Sequence, residues 1–224
     1  MSALNRTDTS LLGRWWWTVD RWTLAAVALL LAFGGVMTLA ASPAVAERID
    51  VGSFHFIKRQ AVFLGLAALT IFGVSLMSLK GIRRLGILCT LVSLFLMLMT
   101  LFVGAEIKGA TRWLSLGGLS LQPSEFVKPG IAVVAAWLFA RQRMDDNFPG
   151  FQMSIAVYLV TVAILLMQPD VGMTIVVSVV WGTQFFVAGL PLVFVALIAV
   201  GFVGAGVAAY FTFDHVQLRV DRFF

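Results

Sequence analysis

The chain reads as long apolar runs separated by short polar clusters, without the alternation of a half-buried strand or the single stripe of a water-facing helix. Charge-free stretches cover residues 22–46, 60–79, 85–105, 129–140, 147–169 and 171–213. A helix needs about 20 apolar residues to cross a bilayer, so most of these stretches can span one. The stretch from Pro129 is short alone. Extended back to Pro123 it reaches spanning length and carries Glu125 and Lys128 on its first turns. The last stretch can hold two helices, and Ala188-Gly-Leu-Pro191 is its natural break, with Pro191 starting the second helix. The pattern predicts a tail over residues 1–21, a seven-helix membrane domain over 22–210 and the start of a loop over 211–224.

Composition supports lipid as the main solvent. Of 224 residues, 60% are hydrophobic and 12% charged, with a mean hydropathy of +0.97, whereas a soluble domain carries roughly 25% charge. A soluble globular fold is excluded. The net charge of +5 does not point to nucleic acid, because the basic residues sit between apolar runs and form no continuous stripe. Cys89 is the single cysteine, and His55 and His215 lie far apart, so neither a disulfide within the chain nor a zinc motif is available.

The first run resembles a signal peptide at Ala44-Val-Ala46, but its length and the further spans favour an uncleaved helix. Trp15, Trp16 and Trp17 beside Arg14 and Arg21 suit an interfacial belt at its start. Basic residues divide evenly between the two sides of this topology. They are concentrated in the short connections holding Lys80, Arg83 and Arg84, and Arg141 and Arg143. That concentration places the N-terminus in the cytoplasm and the segments at 47–59, 106–122 and 211–224 outside.

The polar chemistry gathers in two places. Gly117-Gly118 separates two alternating segments and predicts a tight hairpin pairing Leu116 with Leu119, Ser115 with Ser120 and Leu114 with Leu121. Such a hairpin either rests on the outer membrane surface or shapes the mouth of a site. Pro123 then fits the first position of a helix, with Gln122 as its cap and Glu125 where a carboxylate favours the dipole. Glu125 and Lys128 share a face. They form either an interfacial pair or a polar site entering the membrane, and the polar groups clustered before them favour the site. Asp170 is the only charged residue between Asp146 and Asp214. It caps the next helix or serves function, and so isolated an acid favours function.

Three motifs, Gly109-Ala-Thr-Arg-Trp-Leu114, Leu121-Gln-Pro-Ser-Glu-Phe-Val-Lys128 and Leu166-Met-Gln-Pro-Asp-Val-Gly172, resemble those of the SEDS family, polytopic glycosyltransferases of peptidoglycan synthesis. Arg14-Trp-Trp-Trp-Thr-Val-Asp-Arg21, Ala41-Ser-Pro-Ala-Val-Ala-Glu-Arg48 and Trp181-Gly-Thr-Gln-Phe-Phe-Val-Ala-Gly-Leu-Pro191 resemble the division branch, with the elongation branch the near alternative. The resemblance implies an all-α polytopic bundle with a short outer-surface hairpin. It implies seven spans here of an expected ten, and then the start of a large periplasmic loop.

By the same resemblance the expected catalytic aspartate follows a segment like Arg219-Val-Asp-Arg-Phe-Phe224, beyond this chain, and its role does not pass to Asp214 or Asp221. The 224 residues alone are therefore expected to be inactive. Thr111 departs from the family pattern, which often has a basic residue there.

The implied reaction is polymerisation of lipid II, an undecaprenyl-pyrophosphate-linked disaccharide-peptide, at the division septum of the bacterial inner membrane. A carboxylate acts as general base on the acceptor hydroxyl while pyrophosphate leaves, with a divalent cation, Mg or Mn, assisting. Arg112 and Lys128 then offset pyrophosphate charge, Glu125 orients Lys128, Asp170 binds metal or positions the loop, and Gln122 and Ser124 support the site. A class B penicillin-binding protein transpeptidase, FtsI, and the FtsQ, FtsL and FtsB complex are the implied partners. A lipid II flippase and a non-catalytic division scaffold are the rival readings.

Overall fold

The computed structural model describes residues 10–48, 54–107, 110–116, 119–189 and 192–212, with Gln217 and Asp221. The elements run α1 (Leu11–Thr18), α2 (Arg21–Arg48), α3 (His55–Ser75), α4 (Leu79–Val103), β1 (Ala105–Ile107), β2 (Ala110–Leu116), β3 (Leu119–Leu121), α5 (Pro123–Met144), α6 (Gly150–Met167), α7 (Val171–Val187) and α8 (Leu192–Thr212). Helices α2 to α8 are the seven that the apolar pattern predicts. Among the described residues, Arg21–Pro43, Phe56–Ser75, Leu79–Val103 and Gly150–Met167 are long and apolar enough to cross a membrane, and Val171–Val187 is an apolar helix of shorter length.

The chain forms two compact units, Met1–Leu79 and Lys80–Phe224. In the first, the start of α2 and the end of α3 line one apolar cleft and the opposite ends line another, so the two helices run antiparallel. The tail contains a helix that the pattern did not suggest. Ser10 Oγ caps α1 by accepting from the Gly13 N–H at 3.0 Å. Trp15 Nε1 donates to Ser75 Oγ at 2.8 Å, and its ring meets Phe72 edge-on at 5.1 Å. The Arg21 guanidinium lies 5.4 Å from the rings of both Trp16 and Trp17, a cation–π arrangement suited to an interfacial belt.

In the second unit, α4 begins earlier than the charge pattern suggests, so Lys80, Arg83 and Arg84 ride on its first turns. The Arg83 guanidinium lies 5.2 Å from the Trp137 ring. The core combines Met97 of α4, Val127 and Ile131 of α5, Ile164 and Leu165 of α6, and Met173 and Val177 of α7. A second, aromatic cluster holds Phe139, Trp181 and Phe185. Polar pairs lie within these layers: Trp181 Nε1 donates to Ser154 Oγ at 2.9 Å, and the Tyr158 and Ser178 hydroxyls lie 2.8 Å apart. Leu91, Phe95 and Leu159 project outward, as lipid-facing positions should.

The sheet has the order β1-β2-β3. Leu114, Ser115 and Leu116 pair with Leu121, Ser120 and Leu119, the register expected from the two glycines. Gly117, Gly118 and Pro191 themselves lie outside the described residues. Strand β1 was not anticipated, because it is only three residues long and starts at the last residue of an apolar run. It pairs antiparallel with β2 through Ala105–Trp113, Glu106–Thr111 and Ile107–Ala110. The break between α7 and α8 falls where expected: α7 ends at Val187, and Gly189 adopts φ 98°, a conformation open to glycine.

Candidate functional site

Asp170 stands at the start of α7, directly after the Gln168-Pro169 turn that ends α6. Its carboxylate caps α7, Oδ1 accepting from the Met173 N–H at 3.3 Å, while its carbonyl accepts from Thr174 Oγ1 at 2.9 Å. The same Oδ1 lies 3.0 Å from Arg112 Nη1. Cap and charge partner are combined in one buried group, since the side chains of Asp170 and Arg112 are 6% and 21% exposed.

Gln122 completes the cluster in a way that corrects its expected role. It occupies the N-cap position of α5 but makes no side-chain cap hydrogen bond. Its Nε2 instead donates to Ser124 Oγ at 3.0 Å and to Asp170 Oδ2 at 3.4 Å. A cap must accept, and this amide is turned to donate because a buried carboxylate lies across from it. The arrangement therefore joins strand β2, the start of α5 and the start of α7 around a single acid.

Glu125 and Lys128 form their own pair, 2.7 Å apart, with side chains 52% and 30% exposed. Ser124 and Val127, one position earlier in each case, are buried. The pair thus lies on the outward side of α5. Of the residues singled out from sequence, Arg112, Gln122, Ser124 and Asp170 are linked by direct contacts, and Glu125 and Lys128 are linked to each other.

Two contributors went unrecognised. Gln168, fully buried, donates through Nε2 to the Met97 carbonyl at 2.9 Å and to Thr100 Oγ1. Thr100 Oγ1 donates to the same carbonyl at 2.6 Å. A signal for this contact is present in the chain: Gly86, Thr90, Ser93, Met97 and Thr100 recur every three or four residues, a small and polar stripe down an apolar helix.

A divalent cation does not fit these residues. Oδ1 of Asp170 faces Arg112 and the Met173 N–H, Oδ2 faces the Gln122 amide, and among the described residues no other carboxylate is recorded in contact with them. Among the described residues no three His, Cys, Asp or Glu side chains gather to hold a metal ion. What the arrangement can do is hold an arginine and a turn in fixed relation at the common end of α4 to α7.

Comparison with known proteins agrees with this architecture. The profile of the FtsW/RodA/SpoVE family, described as cell cycle protein, matches residues 21–224. The probable peptidoglycan glycosyltransferase FtsW of Caulobacter vibrioides is 41% identical over 223 residues, covering 99% of this chain and 57% of that protein. The corresponding Escherichia coli O6:H1 protein is 33% identical over 185 residues, covering 81% and 45%. The chain thus spans about half the length of these curated relatives.

Among solved structures, the rod shape determining protein RodA of Thermus thermophilus superimposes with a TM-score of 0.62 at 32% identity, covering 83% of this chain and 60% of that one. A chain from a peptidoglycan synthase complex gives 0.65 at 30% identity, covering 91% and 58%. The apolar helices and these relatives make this a multi-pass inner-membrane protein. The chain belongs to the FtsW/RodA/SpoVE family of cell cycle proteins.

Proposed function

We propose that this chain forms the membrane portion of a peptidoglycan glycosyltransferase that polymerises lipid II at the division septum. The observation that carries the reading is the Arg112–Asp170 ion pair, held by Gln122 at the shared start of α5 and α7. A polymerase whose donor carries a lipid pyrophosphate needs cationic groups close to the membrane boundary. It also needs them fixed before the bond breaks, since preorganised charge lowers the barrier most. Arg112 meets the second requirement through Asp170. Lys128, partly exposed on the outward side of α5, is the more accessible cation, with Glu125 orienting it.

In this reading the acceptor sugar hydroxyl loses its proton to a carboxylate base, its oxygen attacks the anomeric carbon of the growing glycan, and the lipid pyrophosphate leaves. Asp170 is badly placed to take that proton, because three donors already face its two oxygens. We assign that role to an aspartate of the large outer loop, as the family resemblance implies. The N-terminus lies in the cytoplasm and the β1-β2-β3 sheet on the periplasmic side. The partners are a class B penicillin-binding protein transpeptidase, FtsI, and the FtsQ, FtsL and FtsB complex.

Reconstitution tests the proposal. Full-length protein with its transpeptidase partner, in vesicles containing labelled lipid II, is expected to form glycan polymer. Movement of label between leaflets without polymer would favour a flippase. Normal recruitment of division proteins with neither activity would favour a scaffold.

A further inference from the structure

We infer that Gln168 is a positioning residue of the polymerase, setting the Arg112–Asp170 pair from behind; the inference rests on the function proposed above. Gln168 lies two residues before Asp170 and is buried, as is Thr100. Gln168 Nε2, Thr100 Oγ1 and the Met97 carbonyl form a closed set of hydrogen bonds between the end of α6 and the last turns of α4. Each arm of the ion pair starts from this node. Towards α7, the chain passes through Pro169 to Asp170, whose N–H returns to the Leu165 carbonyl at 2.9 Å.

Towards β2, α4 ends at Val103 and the Gly104 N–H donates to the Thr100 carbonyl at 2.9 Å. Strand β1 begins at the next residue and pairs with β2, the strand that carries Arg112. A Cβ at Gly104 would come within 2.2 Å of the Thr100 carbonyl oxygen, so the exit from α4 is also tightly held. Acid and arginine, distant in sequence, are both referenced to one buried amide.

Packing alone does not explain a glutamine here. Among the described residues its Oε1 is buried without a hydrogen-bond partner, a cost that an apolar side chain of similar size would not carry. The amide is accounted for by what Nε2 holds. A shift of about 1 Å in a supporting group can lower turnover by on the order of a hundredfold without loss of folding.

Turnover of labelled lipid II by the full-length protein with its partner, at matched folded yield, tests the inference. Gln168→Met is expected to lower kcat about 10- to 100-fold with KM little changed. Gln168→Glu adds a pH readout. A buried carboxyl titrates above its ordinary range and donates only when protonated, so this variant should recover towards the parent as pH falls, whereas Gln168→Met should not. Thr100→Val should lower kcat in the same direction by several-fold, and it decides the matter if Gln168→Met fails to accumulate. Parental kcat in Gln168→Met, or in Thr100→Val where that variant decides, would overturn the positioning role. If Arg112→Ala and Asp170→Ala are inactive in that case, the site reading stands. Parental kcat in those two variants as well would remove the reading on which the inference rests.

Discussion

Asp170 and Arg112 close a 3.0 Å ion pair between the start of α7 and strand β2, and the same carboxylate oxygen caps α7. A charge pair buried to this degree is weak evidence for stability, because desolvation offsets much of its attraction. Its use is geometric. It ties the outer sheet to the helix ends, and its loss on one side leaves the other charge without its partner.

Glu125 and Lys128 should behave as a surface pair. At 52% and 30% side-chain exposure, their contact contributes about 0 to 1 kcal/mol, so Glu125→Ala should leave the thermal midpoint and folded yield unchanged. Lys128→Ala should do the same while weakening lipid II use. A fall in folded yield for either variant would show a structural role that their exposure does not suggest.

The approach of α4 to α5 depends on absent side chains. A Cβ at Gly130 would lie 2.6 Å from Thr90 Oγ1 and 3.0 Å from the Thr90 nitrogen, and one at Gly86 would lie 2.6 Å from Val133 Cγ1. Gly130→Ala should therefore cost about 1 to 3 kcal/mol and lower the thermal midpoint. Gly65→Ala, where an added Cβ meets nothing within 4 Å, is the control and should be neutral or slightly stabilising. Equal midpoints for the two variants would contradict this packing.

Much of this architecture is legible because it is local. The helices follow from apolar run length, the hairpin register from two glycines between alternating segments, and the Glu125–Lys128 contact from their spacing. The ion pair is of another kind. Arg112 and Asp170 are far apart in the chain and meet only in the folded arrangement, where β1, three residues beginning at the last position of an apolar run, pairs with β2. Gln122 shows the same limit: it occupies the cap position that its place in sequence suits, but its side chain turns to a carboxylate from α7 that lies within reach. Gln168 and Thr100 look like minor polar interruptions until the helices bring them together.

Asp20 makes the start of α2 sensitive to acid. Its carboxyl is held below the ordinary value of 3.8 by the Thr23 hydroxyl first, then by the Trp22 and Thr23 N–H groups. A lowered carboxyl contributes to folding above its unfolded value, and that contribution is lost as pH falls through the folded one. Exchange of the Trp22 and Thr23 amides, corrected for intrinsic pH dependence, should quicken below about pH 4 in the parent. In Asp20→Ala it should be fast throughout. Identical protection in parent and variant at pH 7 would contradict the cap.

Topology can be read with single cysteines in a Cys89→Ser background. Ser120→Cys on β3 should react with an impermeant reagent in intact spheroplasts, whereas Arg141→Cys at the end of α5 should react only after lysis. The opposite pattern would reverse the proposed orientation and move the site to the cytoplasmic side.

The rate of glycan formation by Asp170→Asn in the full-length protein with its partner tests the central claim most directly. Asparagine keeps an oxygen for the Met173 N–H but removes the charge that holds Arg112, so the cap survives and the ion pair does not. Polymerisation of labelled lipid II should fall roughly a hundredfold at parental folded yield, as expected when a preorganised charge loses its anchor. Glycan synthesis within about threefold of the parent would contradict the account and leave Asp170 a helix cap alone.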